Sequence, residues 1–208
     1  MPHQGTRRYG EGVRYFSRDR LTFDLAPGRV LGLVGESGSG KSTVAEGVVE
    51  RTGWVFAEAD AFHPQANIDK MSQGIPLTDE DRWPWLGTIG AYLRDEMIAD
   101  RPTVVACSAL KRVYRDRIRA AGASVYFVFL TGNEELLQQR MESRAGHFMK
   151  AGMLESQLSI LEPLDDDEFG VTVNVTGDVP QIVTEALADF AGRGWLKLEA
   201  RAVTLLDV

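Results

Sequence analysis

The stretch Arg29-Val30-Leu31-Gly32-Leu33-Val34-Gly35-Glu36-Ser37-Gly38-Ser39-Gly40-Lys41-Ser42-Thr43 decides the fold. Its first half is a short apolar run of the kind that forms a parallel strand buried on both faces. Its second half, Gly35 to Ser42, matches G-x-x-x-x-G-K-[ST]. A helical pattern over 41–52 follows, so strand, glycine-rich turn and helix come in the order that a phosphate-binding loop requires. The glycines permit backbone geometry that side chains would block. Successive N–H groups at a helix N-terminus then form a nest for phosphate oxygens. Lys41 is placed to reach the β- and γ-phosphates of ATP, and the Ser42 hydroxyl to hold Mg²⁺. Gly35, Ser37, Gly38, Ser39, Gly40, Lys41, Ser42 and Thr43 are therefore the expected nucleotide contacts.

Working outward, further apolar runs occur at 54–57, 103–107, 124–130 and 171–175. Helical patterns lie between and after them, at about 80–99, 110–121, 133–144, 150–161 and 179–192. Strands that alternate with helices predict a mostly parallel, five-stranded sheet covered on both faces. Right-handed crossovers make it a three-layer α/β/α fold of the P-loop kinase type. Upstream, Val13 to Phe16 and Leu21 to Leu25 read as short strands separated by a Ser17–Arg20 turn, which predicts a β-hairpin-like extension over 1–28. The kinase domain is expected over 29–194. The tail, 195–208, reads as an extra strand or a partner contact.

Composition sets limits. The chain has 208 residues, 44% hydrophobic and 25% charged, which suits one globular domain and not a disordered, collagenous or coiled-coil chain. Lys and Arg total 23 against 30 Asp and Glu, a net charge of −7, so no broad basic surface for nucleic acid is expected. The lone cysteine, Cys107, excludes an intramolecular disulfide and reads as a small buried residue. With no long apolar run and no signal-peptide pattern, a cytoplasmic protein without a membrane partner is expected.

The second strand places Asp60 just past the carboxyl end of the sheet, where open α/β folds bind ligands. A kinase needs a carboxylate there to orient the acceptor hydroxyl and take its proton. Asp60 is also a second candidate Mg²⁺ contact. Glu58 lies two residues away on the same face of the extended segment, and either carboxylate could be the base. Lys111, Tyr114 and Arg115 fall at i, i+3 and i+4, a spacing that converges on one ligand. Arg140 and Arg144 share a helix face in the same way. Trp83 and Trp85 read as packing residues, and Asp165-Asp166-Asp167-Glu168 as a solvated loop.

Three clusters, Glu58–Met71, Pro76–Leu86 and Cys107–Arg115, with Arg144-Ala145-Gly146-His147-Phe148, resemble the gluconokinase family over about 30–192. Shikimate and nucleoside monophosphate kinases share the loop but not these motifs. The commoner family form has Gly-Asp where this chain has Ala59-Asp60. The resemblance implies phosphoryl transfer from ATP to the 6-hydroxyl of D-gluconate, a small polyol acid. It implies Asp60, His63, Lys70, Arg82, Lys111, Tyr114, Arg115 and His147 as acceptor contacts. It further implies a lid over about 140–155 that brings Arg140 and Arg144 onto the transferring phosphoryl group, and a homodimer. Near Asp178-Val179-Pro180, related kinases pass the chain around the adenine ring. The competing expectations are a kinase for a shikimate-like hydroxy acid, an inactive ATP-binding protein, and an ABC-type ATPase module. Leu21 to Thr43 also resembles the opening of an ABC-transporter ATPase domain. No LSGGQ-like signature and no apolar strand ending in an Asp-Glu pair follow it.

Overall fold

The computed structural model describes residues 13–14, 23–25, 29–143, 158–193 and 196–198. In chain order the strands are β1 (Val13–Arg14), β2 (Phe23–Leu25), β3 (Arg29–Gly35), β4 (Val55–Glu58), β5 (Thr103–Cys107), β6 (Ser124–Thr131), β7 (Gly170–Asn174) and β8 (Leu196–Leu198). The helices are α1 (Lys41–Thr52), α2 (Gln65–Ser72), α3 (Asp79–Ile98), α4 (Arg112–Arg119), α5 (Glu134–Glu142) and α6 (Val179–Gly192), with a 3₁₀ turn at Ala59–Phe62.

Five strands pair in parallel in the order β4-β5-β3-β6-β7, which is the expected α/β/α architecture. β3 lies in the middle, and its Val34 is in register with Cys107 on one side and Phe129 on the other. The phosphate loop therefore opens at the centre of the carboxyl edge, flanked by the ends of β4, β5 and β6. Side chains alternate along each strand, so the sheet feeds two cores. Leu31, Leu33, Val104, Ala106 and Val128 meet α1 and α6 on one face. Val30, Val34, Val105, Phe127 and Phe129 meet α3 and α4 on the other. β5 is buried at all five positions, which is why its sequence reads as a continuous apolar run.

The expected N-terminal hairpin is corrected. β1 and β2 are strands, but β1 pairs antiparallel with β4, Val13 opposite Ala57. β2 pairs antiparallel with β8, Phe23 opposite Leu198. An isolated two-stranded hairpin is marginal in water, whereas the β4 edge offers a ready row of backbone donors and acceptors. The strand in the tail is thus found at Leu196–Leu198. α2 was not foreseen, because it carries no apolar periodicity and buries only Asn67. α4 starts at Arg112 rather than 110, with Lys111 as its N-cap residue. Most of the helical pattern at 150–161 lies outside the described residues.

Candidate active site

The loop is shaped by backbone. Gly38 and Gly40 sit at φ 84° and 82°, a region that disfavours side chains. A Cβ on Gly38 would also fall 2.6 Å from the Leu137 carbonyl oxygen of α5. The Ser39 hydroxyl is turned inward, donating to the Glu36 carbonyl at 2.8 Å, so this side chain braces the loop. Thr43 is exposed on the first turn of α1. Lys41 Nζ donates to the carbonyls of Gly35 (3.0 Å) and Glu36 (2.8 Å). Burial pushes its pKa below the ordinary lysine value, and the nearby Asp60 carboxylate is the largest opposing influence. A desolvated ammonium of this kind favours a phosphate that replaces its lost hydration.

Lys41, Ser42 and Ser37 line one cavity with Glu58, Asp60 and Ser108. The two catalytic halves expected from sequence, phosphate loop and carboxylate, therefore share one space. Asp60 is exposed in the 3₁₀ turn that follows β4. Its carbonyl accepts the His63 peptide N–H at 3.3 Å. The His63 ring is stacked on Trp85, centroids 4.2 Å apart at 14°. Burial lowers the His63 pKa, and Asp60 opposes that shift. Trp85 is a packing residue as expected: it is buried and its Nε1 donates to the Ala59 carbonyl at 2.8 Å. Ala59 itself is fully buried within the same core, so its methyl group is accommodated.

The cations expected to contact the acceptor already have partners within the chain. Lys111 Nζ donates to both Asp79 oxygens, at 3.0 and 2.9 Å, and the Tyr114 hydroxyl donates to Asp79 Oδ1 at 2.5 Å. These bonds hold the Asp79 carboxyl below the ordinary carboxylate range. Arg82 lies over the Tyr114 ring, 5.6 Å from its centroid, and donates to the Leu77 carbonyl. Lys70 forms an ion pair with Asp81 at 2.7 Å, joining α2 to α3. Asp81 in turn closes the capping box with Thr78 that starts α3.

Arg115 corrects the expected trio. It is wholly buried and forks onto Glu168 at 2.8 and 2.7 Å. It also donates to the carbonyls of Glu162 and Pro163, both at 3.0 Å. Lys111 lies before the helix begins, so helical spacing does not bring the three together. Glu168 is likewise corrected: its side chain is buried in this pair and is not part of a solvated loop. Arg140 Nη2 donates to the Val175 carbonyl at 2.8 Å, beyond the end of β7. Arg144 and His147, with most of the expected lid, lie outside the described residues.

Residues 30–164 match the family model described as an AAA domain. The chain is 46% identical over 160 residues to a gluconokinase of Gluconobacter oxydans (strain 621H), spanning 76% of this chain and 89% of that one. It is 43% identical over 162 residues to a probable gluconokinase of Schizosaccharomyces pombe (strain 972 / ATCC 24843), spanning 74% and 84%. The chain belongs to the gluconokinase family. A solved gluconokinase from Sinorhizobium meliloti 1021 superposes with a TM-score of 0.70 at 48% identity, covering 80% of this chain and 93% of that one.

Within this gluconokinase-family chain, sequence reasoning assigned no role to Asp79, Asn67 or Ser108. Asp79 could have been noticed as the carboxylate opening a helix behind Thr78, in reach of the next helix's cations. Ser108 directly follows the strand beside β3, where ATPases of the ABC type place their acidic pair. Here β5 ends at Cys107 and Ser108 follows it, so the strand end supplies no such carboxylates. Asn67 lies within the Glu58–Met71 cluster, but its bridging role was hidden, because it joins His63 four residues back to the Asp81 carbonyl 14 residues on.

Proposed function

We propose that the protein transfers the γ-phosphoryl group of ATP to the 6-hydroxyl of D-gluconate, giving 6-phospho-D-gluconate and ADP. The observation that carries this reading is the single cavity lined by the phosphate loop and Asp60, in a chain of the gluconokinase family. The loop N–H groups and Lys41 hold the β- and γ-phosphates. Asp60 orients the acceptor hydroxyl and takes its proton as the oxygen attacks in line. His63, Arg82, Lys111 and Tyr114 supply the hydrogen-bond donors and positive charge that a polyol acid needs. Arg140, with Arg144 and His147 of the lid, adds charge stabilisation and excludes water as a competing acceptor.

The donor set suits Mg²⁺. Among the described residues there is no group of three or more His, Cys, Asp or Glu able to hold a metal. Mg²⁺ is usually held by few protein oxygens together with substrate phosphates, and Ser42 and Asp60 would provide those oxygens. When bound, the ion neutralises charge on the phosphate oxygens. Among the described residues no helix is long and apolar enough to cross a membrane. The expected setting, where ATP is available and Cys107 stays reduced, is the cytoplasm, and the expected assembly is a homodimer. An assay of ADP release with gluconate, shikimate and nucleoside monophosphates as acceptors tests the reading. Gluconate should give the highest kcat/KM; preference for either other class would overturn it.

A further inference from the structure

We infer that Asn67 is a positioning residue: it holds the His63 ring in the tautomer protonated at Nε2, which makes that nitrogen a hydrogen-bond donor to an oxygen of the acceptor. Naming the acceptor rests on the proposed gluconate reading; the tautomer does not.

Asn67 is buried in α2, and its Nδ2 lies 2.9 Å from the Asp81 carbonyl oxygen and 3.3 Å from His63 Nδ1. A backbone carbonyl can only accept. The Asn67 amide must therefore turn its NH₂ toward Asp81, because Oδ1 in that place would set two acceptors against each other with no proton between them. The NH₂ group has two hydrogens and accepts nothing. Its second hydrogen is thus directed at His63 Nδ1, which must present a lone pair. A neutral imidazole with its lone pair on Nδ1 carries its proton on Nε2.

The ring plane is fixed as well. It lies flat on Trp85, and Trp85 is anchored through Nε1 to the carbonyl of Ala59, the residue before Asp60. No hydrogen bond to His63 Nε2 forms among the described residues and the ring is only part-buried, so this N–H is open to water or to a ligand. A polyol acid offers hydroxyl oxygens to such a donor, three residues along the chain from the carboxylate that orients the reacting hydroxyl. Asn67 acts on that acceptor only through His63.

Nitrogen-15 NMR of the full-length, ligand-free chain at about pH 8 tests this directly. The chain has three histidines, and His63→Phe identifies the His63 signals. The expected result is a lone-pair shift at Nδ1 and a protonated shift at Nε2. Averaged shifts, or a proton on Nδ1, would overturn the inference. In Asn67→Leu the shifts should move toward the averaged values. The KM for gluconate should rise on the order of tenfold, as for loss of one oriented hydrogen bond, with kcat and the KM for ATP within about twofold. A variant that folds and keeps both the tautomer and the KM would also overturn it. If Asn67→Leu does not fold, the shifts of the unaltered protein decide alone. Failure to phosphorylate gluconate would refute the proposed function, while the tautomer, measured without acceptor, would still stand or fall by itself.

Discussion

The phosphate loop and the side-chain cluster expected to hold the acceptor are built from different materials. The phosphate loop presents backbone, held in shape by glycines at positive φ and braced by the Ser39 hydroxyl. The expected acceptor contacts are side chains whose charges are already matched within the chain, Lys111 with Asp79 and Lys70 with Asp81. A backbone nest needs no counter-ion, so it can wait for phosphate unchanged. Half-buried ammonium groups without a ligand are costly unless a carboxylate accompanies them. Under the proposed function, an incoming substrate carboxylate would therefore meet cations that are oriented but partly neutralised. This arrangement favours selectivity over raw affinity.

The largest test of this contrast is to damage each half separately. Lys41→Ala should lower kcat by at least about 10²–10³-fold, as expected for removing one preorganised donor to developing charge, with the fold retained by circular dichroism. Asp60→Asn should lower kcat by about 10²–10⁴-fold while ATP binding, measured by calorimetry, stays within about threefold. Near-normal turnover in Asp60→Asn would remove it as the base and leave Glu58, which lines the same cavity.

Arg115 offers a sharper distinction, between residues that bind and residues that only hold. Arg115→Met leaves the Glu168 carboxylate buried without its partner, so stability should fall by about 3–5 kcal/mol, read by urea unfolding. The KM values of the folded enzyme should stay within about twofold. Pairing it with Glu168→Leu should recover much of the loss. A selective rise in the gluconate KM would return Arg115 to the site. Lys111→Met should do the opposite, raising the gluconate KM roughly tenfold, as for one charge-assisted hydrogen bond, with little change in stability or in the ATP KM.

The smallest expected effect concerns Glu36. Both carboxylate oxygens of this buried residue have no hydrogen-bond partner among the described residues, and burial raises its pKa above the ordinary 4.5. An acid whose folded-state pKa is raised costs stability once the unfolded chain ionises. That cost is absent below about pH 4.5 and grows as pH rises above it. Glu36→Gln should therefore raise the Tm by roughly a few degrees at pH 8, with the gain shrinking toward pH 4.5. A gain independent of pH would show that the charge is not its source.

The same contrast explains what could be read from the sequence. The strand, loop and helix were legible, because glycine spacing and both flanking elements are all local; the inward turn of the Ser39 hydroxyl was not. The order of strands and helices followed from periodicity, and α6 falls on its expected 179–192. The place of Asp60 in the cavity was legible because it lies two residues past the end of β4. The acceptor side was legible only by residue type. Helical spacing grouped Arg115 with Lys111 and Tyr114, but which carboxylate takes which cation depends on contacts 32 and 53 residues apart along the chain. The partners of β1 and β2 were hidden for the same reason, since any strand edge satisfies the same backbone groups.

The central claim is that the two halves act together on gluconate. The most direct test follows ATP and its products by phosphorus-31 NMR, with the purified protein and Mg²⁺, in the presence and absence of D-gluconate. The account predicts that ATP is consumed at a substantial rate only when gluconate is present, and that a phosphate monoester on the 6-oxygen forms in equal amount to ADP. Steady release of inorganic phosphate without gluconate, or no new ester with it, would contradict the account.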